Sequence, residues 1–274
     1  MPGPGSLHWR YGGEHRIYLL LLKAGLLQLM LPGLSAGVEQ HSDFFNEPWE
    51  RVLRSMPEIQ GTTFDWPDNE RTAHRIRDFH TGIKGVDGHG RRYHALDPEI
   101  YFWAHATMVD ALFQMIDLFD HPMSLAEKER LYTESCAIFR GYGVSDRAMP
   151  ADWTAFSAYF DRMCREELEL TPAARGLVEF ARNPPVTFPL LPAPVYRVLR
   201  RPTAKPLWWL GVGTLPEPVR DKIGERWTPR DERLFRMFRG AVRRTWPLVP
   251  RPLRYTARAK AGFRRTGSGP RSAP

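Results

Sequence analysis

Cysteine, late histidine and late acidic residues are what this chain of 274 residues has least of, and each scarcity excludes something. The two cysteines, Cys136 and Cys164, both sit in segments with helical apolar spacing and in no CxxC pair. A disulfide framework and a paired-cysteine zinc site are therefore excluded, and two buried thiols in a reducing compartment are expected. All nine histidines fall within the first 121 residues, so any imidazole-based site must lie in the N-terminal half. No Asp or Glu follows Glu232, and residues 197–274 carry 20 Lys and Arg against 5 Asp and Glu. The formal charge of +8 thus belongs to the C-terminal third, and the first 196 residues stand near −7. Long apolar runs are absent too. Ile17 to Leu31 is interrupted by Lys23 and Gln28 and stopped by Pro32, short of the roughly 20 residues a spanning helix needs. The small residues Leu34-Ser35-Ala36-Gly37 after it suit a cleavage site, but Lys23 breaks the uniform apolar stretch a signal peptide requires. The run reads as a core helix.

Where a period is readable it is helical, and no stretch alternates with a period of two between hairpin turns, so the fold class expected is all-α. Asp97-Pro98 caps and opens a helix to about Phe119, with Ile100, Trp103, Thr107, Ala111, Gln114 and Leu118 along one face. Ser124-Leu125-Ala126-Glu127 is a capping box for a second helix to about Arg140, stopped by Gly141-Tyr142-Gly143. A third covers about 151–168, and Thr171-Pro172 opens a short fourth. Pro184-Pro185 and the prolines at 189, 192 and 194 break continuity before a less regular region. Thr228-Pro229 starts an amphipathic helix carrying Leu234, Phe235, Phe238 and Val242. The aromatic stripe of Phe102, Trp103, Phe113 and Phe119 reads as core.

The motifs of familiar chemistries are missing: no HExxH, no repeated ExxH for a di-iron bundle, no GxGxxG after a strand, no GxSxG and no kinase signature. What remains is a set of ordered blocks. Leu26-Leu27-Gln28-Leu29-Met30-Leu31-Pro32-Gly33, followed by Ala36-Gly37-Val38 and His41-Ser42, comes first. Pro48 to Ser55 (PWERVLRS), Ile76 to Gly85 (IRDFHTGIKG), Gly90 to Pro98 (GRRYHALDP) and Trp103 to Thr107 (WAHAT) follow in order. Together they resemble the catalytic domain of rubber oxygenases (latex-clearing proteins) and MpaB-type oxygenases over roughly residues 14–183.

The resemblance implies a single helical domain enclosing a haem pocket, with non-covalent haem b (the chain has no CxxCH), O2 and an apolar, unsaturated isoprenoid or lipid substrate. It implies His80 as the axial iron ligand, with capping or packing within its own helix as the other reading. His105 resembles a second histidine near the haem, and pocket and core roles stay equally open. Arg51, Arg54 and Ser55 correspond to the distal side. There a fixed guanidinium can stabilise charge developing on dioxygen or pair with a propionate, unless both arginines are merely solvated. Rubber oxygenases carry lysine and threonine where Arg54 and Ser55 stand, and Arg54 cannot act as a neutral amine. His41 falls in a matching block, but its place before Ser-Asp suits a cap.

The expected organisation is a catalytic domain over 14–183, a Pro-rich segment with one further amphipathic helix packed on it over 184–244, and a basic, partly disordered tail over 245–274. Such a tail suits peripheral contact with an anionic membrane from the cytoplasmic side rather than a specific nucleic-acid partner. Two rivals are a haem-based O2 carrier or sensor without organic turnover, and a haem-free helical interaction domain whose basic end binds membrane or nucleic acid.

Overall fold

The computed structural model describes residues 1–42, 48–184 and 191–270, without the side chains of residues 48–52 and 201. In chain order its helices are α1 (Leu7–Tyr11), a 3-10 turn (His15–Leu20), α2 (Leu21–Leu29), α3 (Pro32–His41), α4 (Pro48–Phe64) and α5 (Asn69–Asp78). A two-stranded hairpin, β1 (Lys84–Val86) and β2 (Arg92–His94), precedes α6 (Pro98–Phe119), α7 (Leu125–Gly141), α8 (Trp153–Arg162), a π-helical turn (Met163–Glu167) and α9 (Pro172–Arg182). The last third holds α10 (Ala193–Thr214), α11 (Glu217–Lys222), α12 (Pro229–Thr245), α13 (Arg251–Arg254) and α14 (Ala257–Thr266). The all-α expectation holds.

Helix α6 is the axis of the molecule. Residues on nearly every side of it are buried, including Tyr101, Phe102, Trp103, Ala106, Val109, Leu112, Phe113, Ile116 and Phe119, as a helix enclosed by others must be. Helices α2, α7 and α12 and the 3-10 turn pack around it. Trp103 is wholly buried because its indole N–H finds the Leu27 carbonyl at 2.9 Å. The aromatic stripe is core, as its spacing indicated.

The capping signals mark helix starts as expected. Ser124 with Glu127 and Thr228 with Asp231 form reciprocal capping boxes on α7 and α12, and Thr171 caps α9. Five elements differ from the sequence expectation. The apolar run from Ile17 is divided between the 3-10 turn and α2, then turns by 99° into α3. Among the described residues no single helix is long and apolar enough to cross a membrane, although that bent pair passes by length and composition. The expected third helix ends at Arg162 and continues as the π turn. The turn's carbonyls at Cys164 and Arg165, and that of Leu168 just after it, all accept from the Lys222 ammonium, at 2.9, 2.8 and 2.6 Å.

The hairpin was hidden because it is short and strand-poor. Asp87 makes it by accepting from the backbone N–H groups of His89 and Arg91, both at 2.9 Å, and Gly90 supplies the positive φ of +76°. The region after the prolines is also more regular than expected: α10 runs 22 residues with Pro202 and Pro206 inside it. Its C-terminal turns are held by tertiary contacts, with Trp209 stacked on Trp227 at 5.7 Å and Leu210 buried. Residues 185–190 lie outside the described residues.

The largest correction concerns 245–274, expected as a partly disordered basic tail. Helix α14 is docked on α4, where Ala259 and Tyr255 bury Trp9 and Phe64 beside Phe263. Gly262 permits the approach, since a Cβ there would meet the Phe64 carbonyl oxygen at 2.8 Å. Arg258 pairs with Asp65, and Arg265 donates to the Phe64 and Trp66 carbonyls at the end of α4. Basic residues here satisfy an orphan helix terminus and a carboxylate, contacts that composition does not reveal. Residues 271–274 lie outside the described residues.

Candidate functional site

Helices α4 and α5 form an antiparallel pair whose register is fixed by named contacts. Thr72 donates to Asp65 at 2.6 Å, and three residues further along α5 Arg75 meets Glu58 on α4 at 2.5 Å. That antiparallel pairing sets the start of α4, with Arg54 and Ser55, toward the end of α5, which His80 follows. The Arg54 side chain is exposed and Ser55 half-buried. Arg51 lies one turn earlier on α4, and its side chain is outside the described residues. The i, i+3 pair of arginines and His80 therefore share one end of the α4–α5 hairpin.

His80 follows the last turn of α5. One of its contacts is with Ile76, whose carbonyl accepts from Nδ1 at 2.7 Å. The carbonyl can only accept, so Nδ1 carries a hydrogen and the ring's orientation is fixed from its own helix. The ring meets Tyr101 edge-on at 5.7 Å. Tyr101 in turn meets Tyr142 at 5.3 Å, and Tyr142 meets His105 at 6.0 Å. The two candidate histidines thus stand at opposite ends of a four-ring aromatic chain rather than facing one another. Burial pushes the phenols of Tyr101 and Tyr142 up, Tyr142 to about 12.

His105 points from α6 into α7. Its Nε2–H donates to the Ser135 carbonyl at 3.1 Å, and its ring lies against Phe102 and Phe139. Burial pulls it down to about 4, so it is a neutral imidazole under ordinary conditions. Across Ser135 stands His8, which sequence reasoning did not single out. The Ser135 hydroxyl donates to Leu131, leaving its oxygen to accept from His8 Nε2 at 2.8 Å. Burial and then the neighbouring His105 bring His8 down to about 3. Nothing in the sequence marks His8, because it sits on a five-residue helix whose N–H groups are capped from afar by Glu134.

His41 ends α3 exposed, with Nε2–H donating to the Lys84 carbonyl in β1 at 3.0 Å. His94 likewise uses both nitrogens to close the hairpin, toward the Thr81 carbonyl and the Leu96 amide. Among the described residues, no three His, Cys, Asp or Glu side chains converge as a metal-ion site. A single-histidine axial bond would not produce such a cluster.

A cavity of about 360 Å³ lies elsewhere, against the C-terminal half of α6 and between α8, the π turn, α10 and α12. Asp110 and Gln114 line it. From Tyr101 to Gln114 along α6 is roughly 20 Å at 1.5 Å per residue, so it is separate from the His80 end.

Residues 9–244 match the family described as "ER-bound oxygenase mpaB/B'/Rubber oxygenase, catalytic domain". The match takes in α10 and most of α12, beyond the 14–183 over which the sequence blocks are legible. No curated relative and no solved structure matches the chain at a significant level. With the match covering well over half of its length, the chain belongs to the mpaB and rubber oxygenase catalytic-domain family and is an oxygenase.

Proposed function

We propose that this oxygenase is haem b-dependent, with His80 as the residue that would hold the iron and Arg51, Arg54 and Ser55 as further polar residues of the same site. The supporting observation is the His80 imidazole, whose Nδ1–H donates to the Ile76 carbonyl at 2.7 Å, so that the ring is oriented by its own helix. A backbone carbonyl orienting the non-ligating nitrogen is how ligating histidines are usually held. An imidazole so held is a donor of the kind that haem iron takes. Bound haem iron would supply O2 activation for cleaving a carbon–carbon double bond in an apolar isoprenoid or lipid substrate.

The chain's own residues then have separable tasks. The His80 hydrogen bond to Ile76 fixes ring orientation and basicity. Arg54 carries a permanent charge one helical turn from Arg51, so it stabilises negative charge or a propionate without ever leaving as a neutral amine. Ser55 offers a hydroxyl beside it. His105, neutral and bonded to Ser135, stiffens the wall of Tyr101, Tyr142 and Phe139 behind His80.

The basic C-terminal third would hold the enzyme against an anionic membrane on the cytoplasmic side, where apolar substrate resides. Met237, Leu248 and Leu253 are 71%, 80% and 66% exposed, with Arg236, Arg244, Arg251 and Arg254 near them in the chain. Apolar side chains set among arginines suit the headgroup region.

Visible absorption of protein expressed with haem supply tests the central claim. A Soret band in the wild type that is lost in His80→Ala, with far-UV dichroism unchanged, is the expected result. A wild type that takes up no haem would overturn it. Sedimentation with phosphatidylserine vesicles, but not with phosphatidylcholine alone, is expected for the membrane contact.

A further inference from the structure

The 360 Å³ cavity on the far half of α6 is large enough for a small molecule. One wall is apolar and aromatic: Trp153, Phe156, Phe160, Phe235, Leu118 and Leu215. Another is the π turn, a costly backbone form that recurs at functional sites, here presenting the Cys164 thiol and clamped from outside by Lys222. Burial raises that thiol to about 12, so it stays protonated and inert.

The polar groups of the cavity are unequally satisfied. Asp110 is paired with the wholly buried Lys23. Asp161 is matched by Arg165 at 2.8 Å. Glu232 accepts from the Trp227 indole at 3.0 Å and faces Arg236 at 4.0 Å. Two groups are left over. The Gln114 Oε1 atom is buried with no hydrogen-bond partner among the described residues, a state that destabilises the fold unless something fills it. Arg239 lines the same space, half-buried, and among the described residues it makes no ion pair, whereas each carboxylate there does.

From this imbalance we infer that the cavity is a second ligand site, for a small amphipathic carboxylate with an apolar, aromatic-sized body and a hydroxyl or N–H group. The carboxylate pairs with Arg239, the donor meets Gln114 Oε1, and the body lies among Phe156, Phe160 and Phe235. A ligand there is too far along α6 to react at His80, so its effect is on the packing of α8 and α12 against α6.

Isothermal titration calorimetry on the full chain tests this with three probes: 3-(4-hydroxyphenyl)propanoate, 3-phenylpropanoate and the methyl ester of the first. The hydroxylated acid is expected to bind one to one, and the ester at least about tenfold more weakly, as loss of one charge-assisted contact requires. Arg239→Gln should erase the difference between acid and ester. Gln114→Leu should erase the advantage of the hydroxyl, and His80→Ala should change neither. The site is refuted by an absence of binding, by an ester that binds as well as the acid, or by Arg239→Gln binding the acid undiminished. It is equally refuted if His80→Ala abolishes binding, which would put the probe at the other end of α6.

Discussion

His8 and His105 sit on opposite sides of one residue: His8 donates to the Ser135 hydroxyl at 2.8 Å, and His105 to its carbonyl at 3.1 Å. Both are buried and neutral, drawn down to about 3 and about 4. The unfolded chain would take up protons at both near pH 6.5, while the folded chain takes them only near 3 to 4. Stability is therefore undiminished by these groups above about pH 7 and falls as the pH drops from there toward 4. Tm measured across that range is expected to decline steeply in the wild type and less steeply in His8→Gln/His105→Gln, where an amide can keep the donated bonds. Parallel curves for the two proteins would show that the pair is not the acid-labile element.

Lys23 is wholly buried and its ammonium faces Asp110. Removing one partner leaves an uncompensated buried charge, so Lys23→Met alone should lower unfolding free energy by about 3–5 kcal/mol. Lys23→Met/Asp110→Leu should recover most of that loss, because an apolar pair of similar size needs no charge compensation. Urea denaturation of the two variants gives the comparison, and equal losses in both would show that packing rather than charge governs the site.

Truncation after residue 244 distinguishes a docked C-terminus from a solvated one. It removes the cover over Trp9 and Phe64, the Arg258–Asp65 pair, and Trp246 from the face of Arg16. Losing that apolar cover costs on the order of 3 kcal/mol at about 25 cal/mol per Å². A lower Tm and faster proteolysis are expected, and an unchanged Tm would mean the contacts contribute nothing.

Arg54→Ala and Ser55→Ala address the proposed distal residues without touching the core, since Arg54 is exposed and Ser55 half-buried. Each should retain haem content and Tm within experimental error. O2 consumption with an unsaturated lipid is expected to fall about 10²-fold in Arg54→Ala, the usual cost of losing one electrostatic stabiliser. Arg54→Lys tests the substitution relative to the rubber oxygenases directly: a lysine able to bind iron when neutral should perturb the absorption spectrum above about pH 8.

How much of this was readable in advance depends on how local the cause is. The α6, α7, α9 and α12 boundaries follow from Asp97-Pro98, Ser124 with Glu127, Thr171-Pro172 and Thr228 with Asp231, because a cap is an interaction across three or four residues. The buried thiols and the aromatic core follow from helical spacing in the same way. His80 and the Arg51, Arg54 and Ser55 group stood out as ordered blocks resembling a family.

What the sequence alone determined, then, is the helical class, the caps, the charge asymmetry and the family-like blocks. Tertiary structure decided the rest. Only packing turns the Arg54 end of α4 toward the His80 end of α5, seats His8 against Ser135, and puts Tyr101 and Tyr142 between the two candidate histidines. It also folds the basic C-terminus, whose arginines find a helix end and Asp65 more than 190 positions away. Contacts of that sequence separation leave no local pattern, since each partner looks like an ordinary surface residue until the chain brings them together.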